Sequence, residues 1–244
     1  MHRVLIPPEA AQGGIVTIRE PRTVHHLLRV LRVKAGEPLE CIDGQGRRYA
    51  GVVTQRASQH LTVSVTRMTK EPGACLEITL AQALIEPARF EWALQKSTEL
   101  GVTRLIPMLT HRTLVRPGSA PGPSRLSRWR RIIESASTQC GRAALPILEE
   151  PQRFQAVVAS CQGRLGLLPT LVGSAETLQR ALGGVRPGQD VVLLIGPEGD
   201  FTDEEVALAV EGGLRPVRLG ALTLRSETAA VAALALLQHA AGVL

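Results

Sequence analysis

From Leu76 to the end of the chain, short apolar runs alternate with amphipathic stretches in the order strand, helix, strand, helix. This rhythm restricts the fold more than any other feature of the sequence. A run that is apolar throughout, such as "DVVLLIG" (190–196), suits a central strand covered on both faces. Strands are expected near 76–85, 103–109, 164–168, 190–195 and 214–219, and helices near 88–100, 125–140, 174–182, 203–211 and 227–241. The alternation predicts an α/β fold built on a mostly parallel sheet with helices on both faces. A ligand of such a sheet sits beyond the carboxyl ends of the strands, where the connecting loops gather.

The first 72 residues follow another pattern. In "EPLECIDGQGRRYAGVV" two β-type runs flank Asp43-Gly44-Gln45-Gly46, a hairpin signal, and "HLTVSVTRM" alternates like a half-buried strand. Between Pro21 and Gly36, Val24, Leu27, Leu28 and Leu31 recur at helical spacing, with Arg22, Arg29 and Arg32 off that stripe. "KEPGA" then breaks the chain, which divides it into a small β-rich domain (1–72) and an α/β domain (73–244). Within the latter, "RPGSAPGPS" (116–124) reads as a mobile loop.

Charge is unevenly placed. The formal net charge is +6, and residues 1–70 carry that whole excess, while 104–142 hold eight arginines against the single acid Glu134. Concentrated cations of this kind favour a polyanionic partner, because each phosphate neutralised releases counterions. No apolar run reaches 18 residues and the amino terminus lacks a hydrophobic signal core, so a cytoplasmic protein is expected, not a membrane or secreted one. Cys41, Cys75, Cys140 and Cys161 lack metal-site spacing; no metal is expected, and they read as small apolar residues.

Where the run 190–195 stops, Gly196-Pro197-Glu198-Gly199 follows, then Thr202 and Glu205 at capping-box spacing. The two glycines permit backbone conformations or close approaches that a side chain would obstruct, and Pro197 stiffens the turn. No Gly-Lys-Ser/Thr element follows, and Glu198 would repel a triphosphate, so the turn suits a ligand that is not polyanionic. Gly44 and Gly46 make only a lone G-x-G, not a dinucleotide fingerprint. Further on, "LGALTLRSETAAVAALALLQHAAGVL" leads from a strand into an Ala-rich helix with Ser226 expected as N-cap, flanked by Arg225 and Glu227. A helix so apolar is a core helix or a subunit interface.

Five blocks in order, "HHLLRVLRVKAGEPLECIDGQG", "LQKSTELGV", "TQCGRAALP", "LIGPEGDFTDEE" and "LGALTLRSETAA", resemble the small-subunit ribosomal RNA uridine N3-methyltransferases of the RsmE type. The resemblance spans nearly the whole chain. It implies an amino-terminal PUA-like RNA-binding barrel, a SPOUT methyltransferase domain whose carboxyl-terminal part forms a trefoil knot, homodimers, and S-adenosylmethionine as methyl donor. Three positions depart from the family pattern: Asp200 stands where a third glycine is common, Leu222 where an arginine often stands, and Thr138 in place of an acid.

The resemblance also implies a site. The donor is expected against Leu167, Leu168 and Pro169 after one strand, Ile195, Gly196, Pro197, Glu198 and Gly199 after the next, and Leu219, Gly220, Leu224 and Arg225 after the last. Arg225 is the candidate for stabilising charge on the uracil, with Glu198 or Glu227 as proton acceptor. Arg3, His25, Arg29 and Arg32, continued by Arg112, Arg116, Arg128 and Arg142, are the expected contacts to ribosomal RNA or the small subunit. With six aromatic residues, base stacking is a minor element and shape recognition the better expectation. Two other readings stand beside this one: a SPOUT enzyme methylating a ribose 2′-hydroxyl of transfer or large-subunit RNA, and an RNA-binding assembly factor without catalysis.

Overall fold

A computed structural model describes residues 1–113 and 122–244. Arg116 and most of the Gly/Pro/Ser-rich stretch, residues 116–121, lie outside the described residues. Two compact units are present: Met1–Gly73 together with Glu134–Leu145, and Ala74–Ile133 together with Pro146–Leu244.

The first unit is a six-stranded sheet of β1 (His2–Leu5), β2 (Ala11–Gln12), β3 (Ile15–Ile18), β4 (Pro38–Ile42), β5 (Arg47–Arg56) and β6 (Leu61–Lys70), ordered β1-β4-β5-β6-β3-β2. Only the β1–β4 pair is parallel. The β4–β5 hairpin turns at the expected place. Asp43 Oδ1 accepts the N–H groups of Gln45 and Arg47 at 2.8 and 2.9 Å, and Gly44 and Gly46 take positive φ. The stripe between Pro21 and Gly36 is helical for less of its length than its spacing suggests. α1 (Pro21–His25), capped by the Glu20 carboxylate, passes into a π-helical turn over His26–Val30, and the run ends at Arg32 in the left-handed region. Val24 and Leu27 are its buried residues, packed with Val33, Leu39, Tyr49, Leu61 and Val63. Residues 134–145 belong here because Glu71 accepts from the Ala143 and Ala144 amides and Arg3 donates to the Thr138 carbonyl.

The second unit holds β7 (Glu77–Ala83), β8 (Arg104–Leu109), β9 (Ile147–Leu148), β10 (Gln152–Arg153), β11 (Leu165–Pro169), β12 (Glu176–Thr177), β13 (Asp190–Ile195) and β14 (Arg215–Arg218). Every pairing among them is parallel, in the order β10-β8-β7-β13-β11-β14-β12, with β9 also on β8. All five strands read from the sequence lie in this sheet. Its helices are α2 (Pro87–Glu99), α3 (Pro123–Cys140) up to Ile133, α4 (Phe154–Ala159), α5 (Leu178–Leu182), α6 (Asp203–Glu211) and α7 (Ser226–Ala240); the remainder of α3, from Glu134, counts with the first unit. α5 is shorter than the expected 174–182, because residues 176–177 pair with β14 and Glu176 forms an ion pair with Arg215. α4 and the two-residue strands carry too few residues to show a period.

β13 explains why its run is apolar throughout. Val191, Leu193 and Ile195 face a cluster with Phe90 and Leu94 of α2, Trp129 of α3 and Leu234 and Leu237 of α7. Val192 and Leu194 face the other cluster, with Phe154 and Val157 of α4 and Ala209 of α6. Each such side chain contributes about 1.5–3 kcal/mol on burial. One face of α7 is buried, while Leu236 remains 43% exposed. No helix among the described residues is long and apolar enough to cross a membrane.

Candidate active site

The turns after β11, β13 and β14 meet around one cavity of about 250 Å³. Pro169, Thr170 and Leu171 line it from the first turn, Ile195, Gly196, Pro197, Glu198 and Asp200 from the second, and Leu219, Gly220, Leu222, Thr223, Leu224, Arg225, Ser226 and Ala229 from the third. Nine residues expected from the sequence therefore share one wall. Leu167 and Leu168 do not reach it: successive residues of β11 point to opposite faces, and each is buried in a different core cluster. Gly199 is also absent from the lining. A Cβ there would lie 3.3 Å from Arg112 Cδ, so its small size accommodates the loop after β8.

The turn after β13 is braced from several sides. A Cβ on Gly196 would lie 3.0 Å from the fully buried Phe201 ring, so this glycine serves close approach; φ is positive at Asp200, not at Gly196 or Gly199. Arg112 donates through Nη1 to the carbonyls of Gly199 at 2.6 Å and Phe201 at 3.2 Å. The capping box of α6 is present in both directions, and Glu205 also accepts the His111 amide at 2.8 Å. Ser226 is not the N-cap of α7, a place taken by Arg225. Instead its hydroxyl donates to the Gly196 carbonyl and accepts from Gln82 Nε2 on β7.

Sequence reasoning missed Arg89 at the start of α2. Its guanidinium lies 3.7 Å from Glu198 and 3.9 Å from Glu227, which makes it a charge partner of both acids rather than a tight hydrogen-bond donor. Glu227 is 8% exposed and one of its oxygens has no hydrogen-bond partner among the described residues. It does not pair with its neighbour Arg225, whose exposed side chain forms no ion pair or hydrogen bond among the described residues. Only the chain position of Arg89, after a strand end, could have pointed to it.

The cavity wall is mostly apolar, with two carboxylates and Arg225 as its one cation among the described residues. Such a wall suits a ligand with an aromatic base and a positive centre, and not a polyphosphate. S-adenosylmethionine, with adenine, ribose and a sulfonium but no phosphate, meets that description. No cluster able to hold a metal ion exists among the described residues.

The basic side chains expected to meet RNA are dispersed. His25 and Arg29 line a cavity of about 840 Å³ in the first unit, together with Arg19, Arg56 and His60, and no acid lines it. None of these five forms an ion pair among the described residues, and nearby Glu20 turns its carboxylate to the amides of Arg22 and Thr23. Arg32 is exposed at the end of the helical run. The others have partners within the chain: Arg3 with Glu40 and the Thr138 carbonyl, Arg112 with the turn after β13, Arg128 with Glu91, and Arg142 with the Ala144 carbonyl. Of the departures from the family pattern, Leu222 is 79% exposed at the cavity rim, and Thr138 bonds back to the Glu134 carbonyl.

An RNA methyltransferase domain model matches residues 72–238, and an RNA methyltransferase PUA domain model matches 18–66. Ribosomal RNA small subunit methyltransferase E of Synechocystis is 34% identical over 96% of this chain and 76% of its own length. The protein of that name from Mycobacterium bovis is 31% identical over 91% and 85%. Among solved structures, ribosomal RNA small subunit methyltransferase E of Neisseria gonorrhoeae, bound to S-adenosylmethionine, superposes with a TM-score of 0.86 at 31% identity, covering 99% of this chain and 98% of that one. A Legionella pneumophila protein with S-adenosylmethionine bound gives 0.87 at 32% identity over 98% and 97%. With its family model spanning most of the sequence and relatives of this similarity along almost all of it, the chain belongs to the RNA methyltransferase family that includes ribosomal RNA small subunit methyltransferase E.

Proposed function

We propose that the protein is an S-adenosylmethionine-dependent methyltransferase that modifies N3 of a uridine in small-subunit ribosomal RNA. Residues 1–72 act as the PUA-like RNA-binding domain and 73–244 as the SPOUT domain with its trefoil knot, in a cytoplasmic homodimer. The observation that carries the reading is the convergence of three strand-end turns on one apolar cavity bearing a single arginine. When bound there, S-adenosylmethionine supplies an electrophilic methyl group on a sulfonium.

The remaining chemistry belongs to the chain. Uracil N3 is nucleophilic once its proton is removed, and the resulting charge spreads over the flanking carbonyl oxygens. Arg225, exposed at the cavity and uncommitted to any acid, stabilises that charge. Glu198 lines the cavity and accepts the N3 proton; Glu227 lies behind it and, through Arg89, helps hold Glu198 in place. The N3–methyl bond forms as the carbon–sulfur bond breaks, so alignment of the two reactants supplies much of the rate.

RNA is held by the groove of Arg19, Arg29, Arg56, His25 and His60, which no acid lines. Phosphate contacts of this kind position the RNA without reading its bases. The second copy covers the exposed apolar surface of Leu222 and Leu236. The deciding experiment incubates the protein with labelled S-adenosylmethionine and unmodified small subunits and identifies the product nucleoside by mass spectrometry. N3-methyluridine is expected; a 2′-O-methyl nucleoside, or RNA binding without any donor isotherm, would overturn the reading.

A further inference from the structure

Asp200 and Arg32 are the two non-glycine residues with positive φ among the described residues, at 58° and 53°. That region is disfavoured for side chains, although Asp and Asn enter it more readily than most. Glycine would take the same backbone more easily, so the aspartate persists because of what its carboxylate does. Its oxygens lie 3.1 Å from the Thr170 hydroxyl, and it accepts the amides of Leu171 and Phe201 at 2.8 Å each. Thr170 Oγ1 in turn accepts the Val172 amide at 3.0 Å. Thr170 is buried, and Thr170, Leu171 and Asp200 all belong to the cavity wall.

We infer that Asp200 is a positioning residue: it latches the turn after β13 to the turn after β11 and thereby sets how tightly the cavity holds the methyl donor. The inference rests on the reading of this cavity as the S-adenosylmethionine site. No other side chain-mediated bond joins these two turns among the described residues. Without the latch, both turns must be ordered as the ligand enters, and that ordering is subtracted from affinity. Arg225 lies on the turn after β14, and Glu198, two residues from the latch, has its own restraint in Arg89, so the effect falls on donor binding more than on the chemical step.

Isothermal titration with S-adenosylmethionine and with S-adenosylhomocysteine tests this on Asp200→Gly, Asp200→Asn, Thr170→Val and the double variant Thr170→Val/Asp200→Gly. Asp200→Gly is expected to raise Kd for both ligands roughly three- to tenfold, the range for losing hydrogen bonds to a charged group in a partly exposed site. Its Tm stays near that of the unaltered protein, because glycine relieves the left-handed backbone as the bonds are lost. Affinity and stability thus separate, as they would not for a residue that serves folding alone. Asp200→Asn, which keeps one acceptor oxygen, falls between the two, and the double variant is no weaker than Asp200→Gly. In turnover, KM for the donor rises while kcat holds. An isotherm for Asp200→Gly within twofold of the unaltered protein, or additive losses in the double variant, overturns the latch alone. Failure of the unaltered protein to bind either ligand overturns the cavity assignment and the latch with it.

Discussion

The Ser226 hydroxyl donates to the Gly196 carbonyl across 2.5 Å, joining the first turn of α7 to the residue after β13. It also accepts from Gln82 Nε2 at 2.8 Å, so β7, β13 and α7 meet at one buried oxygen. The cavity floor is held from the sheet side by this chain of bonds.

Replacing Ser226 by Ala leaves the Gly196 carbonyl without this donor and the Gln82 amide without this acceptor in a buried place. A loss of about 1–3 kcal/mol is expected. Calorimetry would read it as a fall in Tm of several degrees, and an unchanged Tm would show that solvent or a neighbour takes over both bonds.

Arg89 stands between Glu198 and Glu227, and its removal leaves Glu227 buried without a cation. Arg89→Met is expected to lower kcat by about tenfold or more, the scale for a misplaced general base, while Kd for S-adenosylmethionine changes little. Arg89→Lys should recover part of the rate. Steady-state kinetics alongside titration separates the two quantities.

For Arg225→Ala the expected pattern is a loss of transfer by about 10²–10³-fold, the cost of deleting one charge-stabilising donor. Stability should stay within about 0.5 kcal/mol, since the side chain is exposed. Near-normal turnover would remove Arg225 from the mechanism.

The capping box makes Thr202→Ala a test of the α6 start. About 1 kcal/mol should be lost, and Thr202→Ser should restore most of it. Urea unfolding with an unchanged m-value would report the difference directly.

Thiol labelling gives a prediction from protonation. Burial, with a smaller contribution from the charge of Glu40, pushes the Cys41 thiol up to about 12. At pH 8, far below that value, Cys41 is protonated and inert, whereas the exposed Cys140 reacts. Fast labelling of Cys41 in the folded protein would contradict its burial; it should react only on denaturation.

Much of this was legible in the chain. The Asp43–Gly46 hairpin, the Thr202–Glu205 box and the two-sided burial of 190–195 each depend on residues a few positions apart, or on a strand's own alternation. Ser226 shows the limit: its spacing suited an N-cap, but a long-range acceptor, Gly196, claimed the hydroxyl. Gly199 reads as backbone freedom or close approach with nothing to choose between them; the structure gives it the second, toward Arg112, and the left-handed residue is its neighbour Asp200.

Periodicity and turn chemistry thus determined the longer elements and the parallel sheet, because local backbone preferences and the burial of one face act within a single element, and the family resemblance pointed to the three turns that carry the site. The tertiary structure alone decided which side chains meet there: Gln82 with Ser226, 144 residues apart, Arg112 with Gly199, 87 apart, and Asp200 with Thr170, 30 apart. Those contacts depend on β13 lying between β7 and β11, and on β14 lying on the far side of β11. The order of strands in a sheet is a property of how whole elements pack, and no local pattern encodes it.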